Sequence, residues 1–368
     1  MGLEHIDSGD IHIREYGSPD EVKGGKLKCY PGDVIFGKRR AYQRKAALVD
    51  FEGICSAHAF VFRANEEVVD PKLFPFFLHS DQFMHRMVDI SVGGLSPTIN
   101  WGDLKGQEFL LPPKDQQAEI AELLWASDAQ VDGTTSMVLS CEQLILADRE
   151  NRFLGLNEEK TVQHPRLKGD VGASLTFVEL GDLAIDVSYG TSAKSNTVKS
   201  GIPVLGIPQV VGGKLELADL NFVELGSKEH EKLMLRKGDI LIIRTNGNPS
   251  YTGKSSIFDE GGDFVFASYL IRVRVDPEVV LPRFLIAYLQ TTIVRRYFTR
   301  SATSSAGNYN INSQTIKRLP VPVLSLVDQE NLVRDVESDQ DCLEMLMRRL
   351  ELGNELQRSL VNSVFDHV

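Results

Sequence analysis

The sequence has 368 residues, a length that exceeds one ordinary domain and indicates two or three. Its 42% hydrophobic and 25% charged residues are typical of globular proteins, and no apolar run reaches the roughly 18 residues of a membrane-spanning helix. The net charge of −11 excludes a uniformly basic nucleic-acid-binding protein.

The charge is unevenly distributed along the chain. Basic residues exceed acidic ones by 3 in residues 172–326, whereas residues 1–112 carry −3 and residues 156–171 are neutral. Residues 113–155 and 327–368 carry −5 and −6. The less acidic regions can therefore still present a DNA-binding surface.

The start of the chain and its cysteines indicate a compartment. The first residues lack the basic and apolar pattern of a secretory signal. The four cysteines lie far apart, without a CxxC pair. We therefore expect a cytoplasmic protein with reduced thiols and neither disulfides nor a zinc site.

In chain order, the first predicted region is β-rich and covers residues 1–112. Short β-branched and aromatic runs predict strands in LKCYPGDVIFG (27–37) and GICSAHAFVFRA (53–64). LFPFFLHSDQFMHRM (73–87) predicts one short helix, which a loop rich in Gly, Ser and Asn follows.

A long helix is predicted in residues 113–155. Asp115 stands at the place of an N-cap, and Gly155 at that of a helix stop. Apolar and small residues recur at steps of three and four, the spacing of a coiled-coil seam. These residues are Ile120, Leu124, Ser127, Val131, Thr134, Val138, Cys141 and Ile145.

The β-rich plan returns in residues 172–326, after a linker at 156–171. KGDILIIRTNG (237–247) and DFVFASYLIRVRV (263–275) predict strands. RFLIAYLQTTIVRRYF (283–298) predicts the short helix that follows them.

A second long helix is predicted in residues 327–368, with Asp328 at the N-cap and breaks in its seam at Asp339 and Gly353. Its apolar positions are Leu332, Val336, Leu343, Leu346, Leu350, Leu360 and Val364. Each helix would be about 50 Å long, more than a small β domain can cover. We therefore expect the two helices to pair with each other. The alternative is that each packs on its own domain.

Six short matches in the same order show that the chain is internally duplicated, with offsets between 206 and 213. The matches pair Pro31-Gly32-Asp33-Val34-Ile35-Phe36 with Lys237-Gly238-Asp239-Ile240-Leu241-Ile242, Phe60-Val61-Phe62-Arg63 with Ile271-Arg272-Val273-Arg274, Phe77-Leu78 with Tyr288-Leu289, Ile99-Asn100 with Ile311-Asn312, Leu111-Pro112 with Val321-Pro322, and Asp115-Gln116 with Asp328-Gln329. Each match is weak alone, but their common order predicts two copies of one unit.

Catalytic motifs are absent from the sequence. GNPSYTGKS (247–255) resembles a phosphate-binding loop, but five residues separate Gly247 from Gly253 where that motif has four. It also leads into SSIFDEGG, which is not a helix start. The sequence predicts no catalytic centre. An enzyme of unrecognised type acting alone stays an alternative.

Several stretches together resemble the specificity subunit of type I restriction–modification enzymes. SYGTSAKSNTVKSGIPVLGIPQVVGGKLELADLNFV (188–223) resembles the opening of a target-recognition domain of that family. KGDILIIRTNGNPSYTGKSSIF (237–258) resembles the central hairpin, with PGDVIFGKRRAYQRKAAL (31–48) as its first copy. LLPPKDQQAEIAELL (110–124) resembles the Pro-Pro-x-x-x-Gln-x-x-Ile junction of domain and helix, and LVDQENLV (326–333) is a degenerate copy.

The resemblance implies an α+β fold with two β-rich target-recognition domains in tandem, each followed by a long helix, and the two helices pairing as an antiparallel coiled coil. Residues 1–112 would form the first recognition domain and 172–326 the second. Residues 113–155 and 327–368 would be the spacer helices, and 156–171 a linker.

The first copy departs from the family pattern at its start. GLEHIDSGDI (2–11) aligns with LGIPQVVGGKL (205–215), so the first copy lacks a counterpart of about residues 174–204. We therefore expect an incomplete first recognition domain.

By the same resemblance, each recognition domain would read one half of a split double-stranded DNA target. The paired helices would fix the gap between the halves and dock two modification (methyltransferase) subunits. S-adenosylmethionine is expected on those partners, and ATP and magnesium on restriction (motor-nuclease) subunits. We expect no cofactor in this chain, no metal site and no membrane partner.

Candidate DNA contacts lie on polar loops of both copies, because Arg and Lys suit guanine edges or phosphates and Asn suits adenine. The first copy contributes Lys38, Arg39, Arg40, Tyr42, Arg44 and Lys45. The second contributes Tyr189, Ser192, Lys194, Arg244, Asn246, Asn248, Tyr251, Lys254, Asn308 and Asn310. Arg295, Arg296 and Arg300 are weighed as phosphate contacts or solvent-facing residues. For each cluster, a solvated polar loop is the alternative.

A second hypothesis comes from another functional class. The acidic long helices also fit a scaffold that binds protein partners through its coiled coil and reads no DNA. Such a scaffold would show no sequence-dependent, salt-sensitive DNA binding.

Overall fold

The computed structural model describes residues 1–18, 20, 22, 24–305 and 307–366. Residues 367–368, the end of the predicted second spacer helix, lie outside the described residues. Contacts divide the chain into a first unit, Met1–Val138 with Met345–Val368, and a second unit, Leu139–Glu344. Each unit holds one β-rich region and part of each long helix.

The described part of the first unit begins with short strands and helices that lead into a long helix. They are β1 (Lys26–Cys29), β2 (Val34–Gly37), β3 (Ala46–Leu48), β4 (Gly53–Ser56), β5 (Ala59–Phe62), α1 (Phe74–His79), α2 (Asp81–Asp89), α3 (Trp101–Leu104) and α4 (Gln117–Leu154). β2 lies between β3 and β5, antiparallel to both, and β1 pairs with β4.

The second unit continues the numbering in chain order. Its elements are β6 (Thr161–Gln163), β7 (Asp170–Gly172), β8 (Phe177–Glu179), α5 (Leu180–Leu183), β9 (Ala184–Tyr189), β10 (Ile202–Leu205), α6 (Ile207–Val210), β11 (Asn221–Val223), α7 (Ser227–Leu233), β12 (Asp239–Ile243), β13 (Thr245–Asn246), β14 (Ser255–Phe258), β15 (Val265–Phe266), β16 (Leu270–Val275), α8 (Pro282–Leu289), α9 (Thr292–Ser301), β17 (Thr303–Ser305), β18 (Asn308–Asn310), α10 (Ser313–Lys317), β19 (Pro320–Pro322) and α11 (Leu326–Asp366). The central sheet has the order β14-β12-β16-β9 and is antiparallel.

Strands β2 and β12 are buried on both faces, which explains their continuous apolar sequence. Val34 and Phe36 face one core of the first unit, and Ile35 faces another. In β12, Ile240 and Ile242 likewise face one core, whereas Leu241 and Ile243 face the other. The period of two along each strand therefore serves two cores in each unit.

The predicted duplication is confirmed in atomic detail by a repeated ion pair to a buried aspartate. Asp33, which is 1% exposed, accepts two hydrogen bonds from Arg63, at 2.7 and 2.9 Å. Asp239, also 1% exposed, accepts two from Arg274, both at 2.6 Å. The glycine before each aspartate has a φ of +90°, which the turn into the strand requires.

The single short helix predicted in each copy is in fact two helices. Ser80 separates α1 from α2, and its hydroxyl accepts a hydrogen bond from the amide of Phe83 (3.2 Å). Thr291 lies at the corresponding place between α8 and α9. Both residues are buried, so each break lies inside the core. The spacing of apolar residues along the sequence therefore does not reveal it.

A buried glutamine ties each β-rich region to its long helix. The Gln117 side chain accepts from the amide of Asp70 (2.7 Å) and donates to the carbonyls of Val68 (3.2 Å) and Pro112 (2.9 Å). Gln329 accepts from the amide of Leu281 (2.8 Å). It also donates to the carbonyls of Val279 (3.2 Å) and Leu324 (3.0 Å). The counterpart of Gln329 is therefore Gln117, and the predicted match of Asp115-Gln116 with Asp328-Gln329 is wrong by one residue.

We expect Gln117→Ala to lower the free energy of unfolding by about 2 kcal/mol, because it leaves a partly buried amide and two carbonyls without their partner. Denaturant unfolding measures this loss. The matched control is Gln116→Ala, since the preceding glutamine is exposed. Equal stability of the two variants would contradict the structural role of Gln117.

The two long helices are continuous and contain 38 and 41 residues. The α4 helix is therefore about 57 Å long at 1.5 Å per residue. Gly155, with φ +61°, ends α4 as predicted. The predicted N-caps are wrong. α4 begins two residues after Asp115, and Ser325 caps α11 by accepting from the amide of Asp328 (3.2 Å).

Within each unit the segments of α4 and α11 pack antiparallel, as predicted. In the first unit Gln357 donates to Asp128 (2.9 Å), and Gly353 faces Val131. In the second, Arg152 pairs with Asp335 at 3.0 Å, and Cys141 lies near Cys342. Positions that advance along α4 thus meet positions that recede along α11.

No helix in the described part of the chain is long and apolar enough to cross a membrane.

The buried Asp128 of α4 also contacts His12, at 2.7 Å from Nε2. The hydrogen bond and the negative charge of Asp128 outweigh burial and raise the pKa of His12 above 6.5. The pair therefore stabilises the fold fully below the unfolded-state pKa of His12. This stabilisation is lost as the pH rises through the higher folded-state value.

We expect the stability difference between the native protein and a His12→Gln variant to be largest near pH 6 and to shrink above neutral pH. Urea unfolding from pH 5.5 to 8.5 measures this difference. A difference that is constant with pH, or that grows with it, would contradict the assignment of His12 as a cationic partner of Asp128.

Candidate nucleic-acid interface

The two hairpin connections singled out in the sequence occupy equivalent places in their copies. The amide of Lys38 donates to the carbonyl of His58 (3.1 Å), as the amide of Arg244 donates to that of Tyr269 (2.9 Å). The carbonyls of Lys38 and Arg244 each accept an isoleucine amide at 2.9 Å. The isoleucines are Ile99 and Ile311. Both hairpins therefore lie against the polar loop that follows the paired short helices.

In the second copy, Arg244 and Tyr189 form the centre of the candidate surface. The guanidinium carbon of Arg244 lies 5.0 Å from the Tyr189 ring centroid, within cation–π range. The Tyr189 hydroxyl accepts from the amide of Ser313 (3.0 Å). Strand β9 therefore brings Tyr189 to the hairpin, although about 55 residues separate it from Arg244 in sequence.

Asparagines line the loops beside Arg244. The side chain of Asn246 accepts from the amide of Asn248 (2.8 Å), and that of Asn248 accepts from Ser250 (3.0 Å), so each also forms a turn. The pairing of β13 with β18 places Asn246 opposite Tyr309, between Asn308 and Asn310. The structure thus brings these asparagines to one edge, and among the described residues one of their side-chain amides donates a hydrogen bond, from Asn310 to the carbonyl of Asn308 (3.5 Å).

Two further candidates of the second copy, Tyr251 and Lys254, also contact the protein. Lys254 lies over the Tyr251 ring at 5.2 Å and donates to the carbonyl of Val211 (3.1 Å). Ser192 and Lys194 are exposed on the segment after β9, and no side-chain hydrogen bond places them within the described residues. The candidates of the second copy therefore form one cluster, with Ser192 and Lys194 outside it.

Arg295 holds the loop between β13 and β14 through hydrogen bonds to its backbone. Its guanidinium donates to the carbonyls of Ser250 (2.8 Å) and Thr252 (3.1 Å), and burial lowers its pKa. Arg300 donates to the carbonyl of Leu167, and Arg296 is exposed. Arg295 and Arg300 are therefore bonded to backbone carbonyls, and the phosphate role weighed for the three arginines stays a prediction.

In the first copy the basic residues divide into two sets. Arg39, Arg40 and Tyr42 are exposed, and the described residues contain no salt bridge to either arginine. Lys38 lies over the Phe60 ring at 5.6 Å. The remaining two are held by the protein. Arg44 donates to Asp81 (2.6 Å) and Lys45 donates to the carbonyl of Leu3 (2.7 Å).

His58 and Tyr269 were not among the candidates predicted from the sequence. Both side chains are exposed, and the carbonyl of each residue accepts the hydrogen bond that fixes the hairpin start, so they flank Lys38 and Arg244 in the same way. The offset of 211 between them could have identified the pair. The 247–254 stretch leads into strand β14, so the structure contains no helix start of a phosphate-binding loop there.

The side chains on this surface are of types that can bind nucleic acids. Guanidinium and ammonium groups can bind phosphates or guanine, carboxamides suit adenine edges, and exposed tyrosines can pack against sugars or bases. Among the described residues, no group of three or more His, Cys, Asp or Glu side chains is arranged to bind a metal.

Comparison with known proteins agrees with this reading. Residues 16–136 and 174–338 match the family model of the type I restriction modification DNA specificity domain. The chain is 25% identical over 329 residues to the type I restriction enzyme StySPI specificity subunit of Salmonella potsdam, covering 87% of this chain and 70% of the relative. It is 24% identical over 326 residues to the EcoKI specificity subunit of Escherichia coli K12, with the same coverage.

Solved structures share the fold. A chain from a structure concerned with complex assembly and conformational transition of the type I R-M system has a TM-score of 0.61 at 19% identity, covering 99% of this chain and 89% of that one. The S subunit of a type I restriction-modification system from M. genitalium has a TM-score of 0.55 at 16% identity, covering 98% and 90%. The chain therefore belongs to the type I restriction-modification specificity subunits and contains two DNA specificity domains.

Proposed function

We propose that this protein reads a split DNA sequence with the hairpin surfaces of its two specificity domains. The observation that carries the proposal is the repetition of one site. Lys38 and Arg244 start equivalent hairpins, and both are fixed by the same backbone hydrogen bonds. Because the exposed side chains around them differ between the copies, the two half-sites would differ, and the target would be asymmetric.

In this proposal the protein recognises the DNA sequence, and its partner subunits carry out methyl transfer and cleavage. Two modification subunits would dock along α4 and α11 and transfer methyl groups from S-adenosylmethionine. Restriction subunits using ATP and magnesium would cleave. The acidic exposed faces of both helices support protein docking there, since they would repel DNA phosphates. No catalytic role is proposed for this chain. The proposal includes the domain limits at residues 112, 155, 171 and 326, which separate the recognition domains, the spacer helices and the linker.

The antiparallel helix pair would act as the ruler between the half-sites. Deleting seven residues, two turns, from both helices at matched positions shortens the pair by about 10 Å. We expect the methylated motif to keep both half-sites while its gap shrinks by about three base pairs, at 3.4 Å per base pair. Methylation mapping with the modification subunit present measures the gap.

Shortened variants must fold for this test to count, so thermal unfolding and co-purification with the modification subunit are the controls. An unchanged gap in a folded, active complex would contradict the ruler. The alternative scaffold hypothesis predicts a stable complex that shows no sequence-dependent, salt-sensitive DNA binding.

A further inference from the structure

One strand position is vacant in the first unit. Among the described residues β5 pairs with β2 on one edge and with no strand on the other. Its counterpart β16 pairs with β12 and, on the equivalent free edge, with β9. An open edge presents unpaired backbone donors and acceptors that can hydrogen-bond to another strand.

In the second unit, one continuous segment covers three neighbouring elements. Residues 176–190 form β8, α5 and β9. Strand β8 pairs with β19, and β9 pairs with β16. Both α5 and β9 also contact α10.

The first-unit counterparts of these covered residues are exposed. Trp101 of α3 is 58% exposed, and its counterpart Ser313 hydrogen-bonds to Tyr189 of β9. Leu110, the counterpart of the buried Pro320, is 61% exposed. A missing segment at one place therefore accounts for exposure on separate elements.

The ion pairs of the repeat show the same asymmetry. The Arg63 side chain is 68% exposed, whereas that of Arg274 is 16% exposed, although both bind a buried aspartate. Residues Phe60 to Phe62 of β5 are half-buried, whereas their counterparts Ile271 to Val273 are at most 3% exposed. Aromatic rings mark the open edge. The ring centroid of Phe60 lies 5.7 Å from that of Phe62 in a stacked arrangement and 6.1 Å from that of Trp101 in a tilted one.

We infer that this surface binds an extended polypeptide segment of the same pattern as residues 176–190, lying outside residues 1–368, as an antiparallel strand on β5. Backbone hydrogen bonds along the edge and apolar contacts to Phe60, Phe62, Trp101 and Leu110 hold it. A second copy of the chain is a poor occupant, because its own residues 176–190 are already paired with β16 and β19. The inference does not depend on DNA reading.

The first unit also specifies one residue of the occupant. In β9, Asp186 binds Arg272, with oxygen–nitrogen distances of 2.7 and 3.0 Å. The counterpart of Arg272 is Val61, so an aspartate at this position would lose these two hydrogen bonds. By the register of β9 it would lie opposite Arg63, whose guanidinium already binds Asp33. The occupant is therefore expected to carry an uncharged residue there.

The probe is a fluorescent peptide of residues 176–190 with the substitution Asp186→Val, added to the full-length protein. The control peptide carries Val187→Pro and Ser188→Pro as well, because one of two adjacent amides must face β5 and proline has none to donate. We expect the affinity of the control peptide to be lower than that of the probe by about tenfold or more. Saturating probe should slow hydrogen exchange at Ala59–Phe62 about tenfold, and leave Leu270–Val275 unchanged.

The inference is overturned by any of three results. These are no binding of the probe up to about 1 mM, equal binding of both peptides, and protection that appears elsewhere than on β5. Sedimentation of the protein without peptide addresses the other occupant. A dimer whose formation protects β5 would mean that a second copy covers this edge, and would also overturn the proposal.

Discussion

We expect Arg274→Ala to lower the free energy of unfolding by about 3 kcal/mol, because the substitution leaves Asp239 buried without its charged partner. Arg274 binds both carboxylate oxygens at 2.6 Å and also donates to the carbonyl of Met234 (3.3 Å). For a unit of about 200 residues, this loss corresponds to a fall in Tm of about 6–12 °C. Differential scanning calorimetry measures it.

The repeat supplies an internal comparison for this prediction. Arg63 makes the same two hydrogen bonds to Asp33, but its side chain is open to water, which can solvate the aspartate once the arginine is gone. Arg63→Ala should therefore cost clearly less than Arg274→Ala. Arg236→Ala, an exposed arginine of the same turn, controls for lost charge and should change little. Equal losses at Arg63 and Arg274 would refute the argument from burial.

We expect Arg244→Ala to weaken binding of the specific DNA target about tenfold to hundredfold in the complex with its modification subunit. A direct contact to a base edge contributes about 1–3 kcal/mol, which converts to this range. Arg244 is held over Tyr189 and fixed through its backbone, so little ordering would be needed on binding. Fluorescence anisotropy at several salt concentrations measures the effect.

The salt dependence separates two roles for Arg244. Loss of a base contact lowers affinity for the specific target and leaves the salt slope unchanged, whereas loss of a phosphate contact weakens all sequences and reduces the slope by about one. Arg283→Ala is the matched control, because this exposed arginine binds Asp259 and Glu337 away from the hairpin. Unchanged affinity at Arg244, with the Tm preserved, removes this residue from the interface.

The sequence predicted the two-copy architecture because the signals were local and repeated. The Gly-Asp turn before β2 and β12 and the seams of the two long helices can each be recognised in a few residues. The seams predicted the pairing of α4 with α11, which is confirmed. Asp339 and Gly353 do not interrupt α11, since Gly353 packs closely against Val131 in the first unit.

Features set by tertiary packing could not be predicted. Ser80 and Thr291 split predicted single helices, because buried hydroxyls there accept or donate hydrogen bonds at a corner of the core. Gln117 was misplaced by one position because two glutamines are adjacent, and only the contacts to Asp70 and Pro112 distinguish them.

The candidate site was predicted as a set of loops and not as a surface. Charge and residue type identified the hairpins, but they could not show that Arg44 binds Asp81 or that Arg295 donates to the backbone of the loop. Charge and residue type also could not predict the contact of Tyr189 with Arg244, since that contact depends on the pairing of β9 with β16. The individual base and phosphate contacts stay predictions.

The measurement that tests the central claim most directly is a map of methylated bases in host DNA after co-expression of this chain with its modification subunit. The proposed function predicts a split motif with a fixed gap, and one half-site should change when the hairpin at Arg244 is replaced. A methylated motif unaffected by that replacement, or a stable complex that methylates no defined sequence, would contradict it.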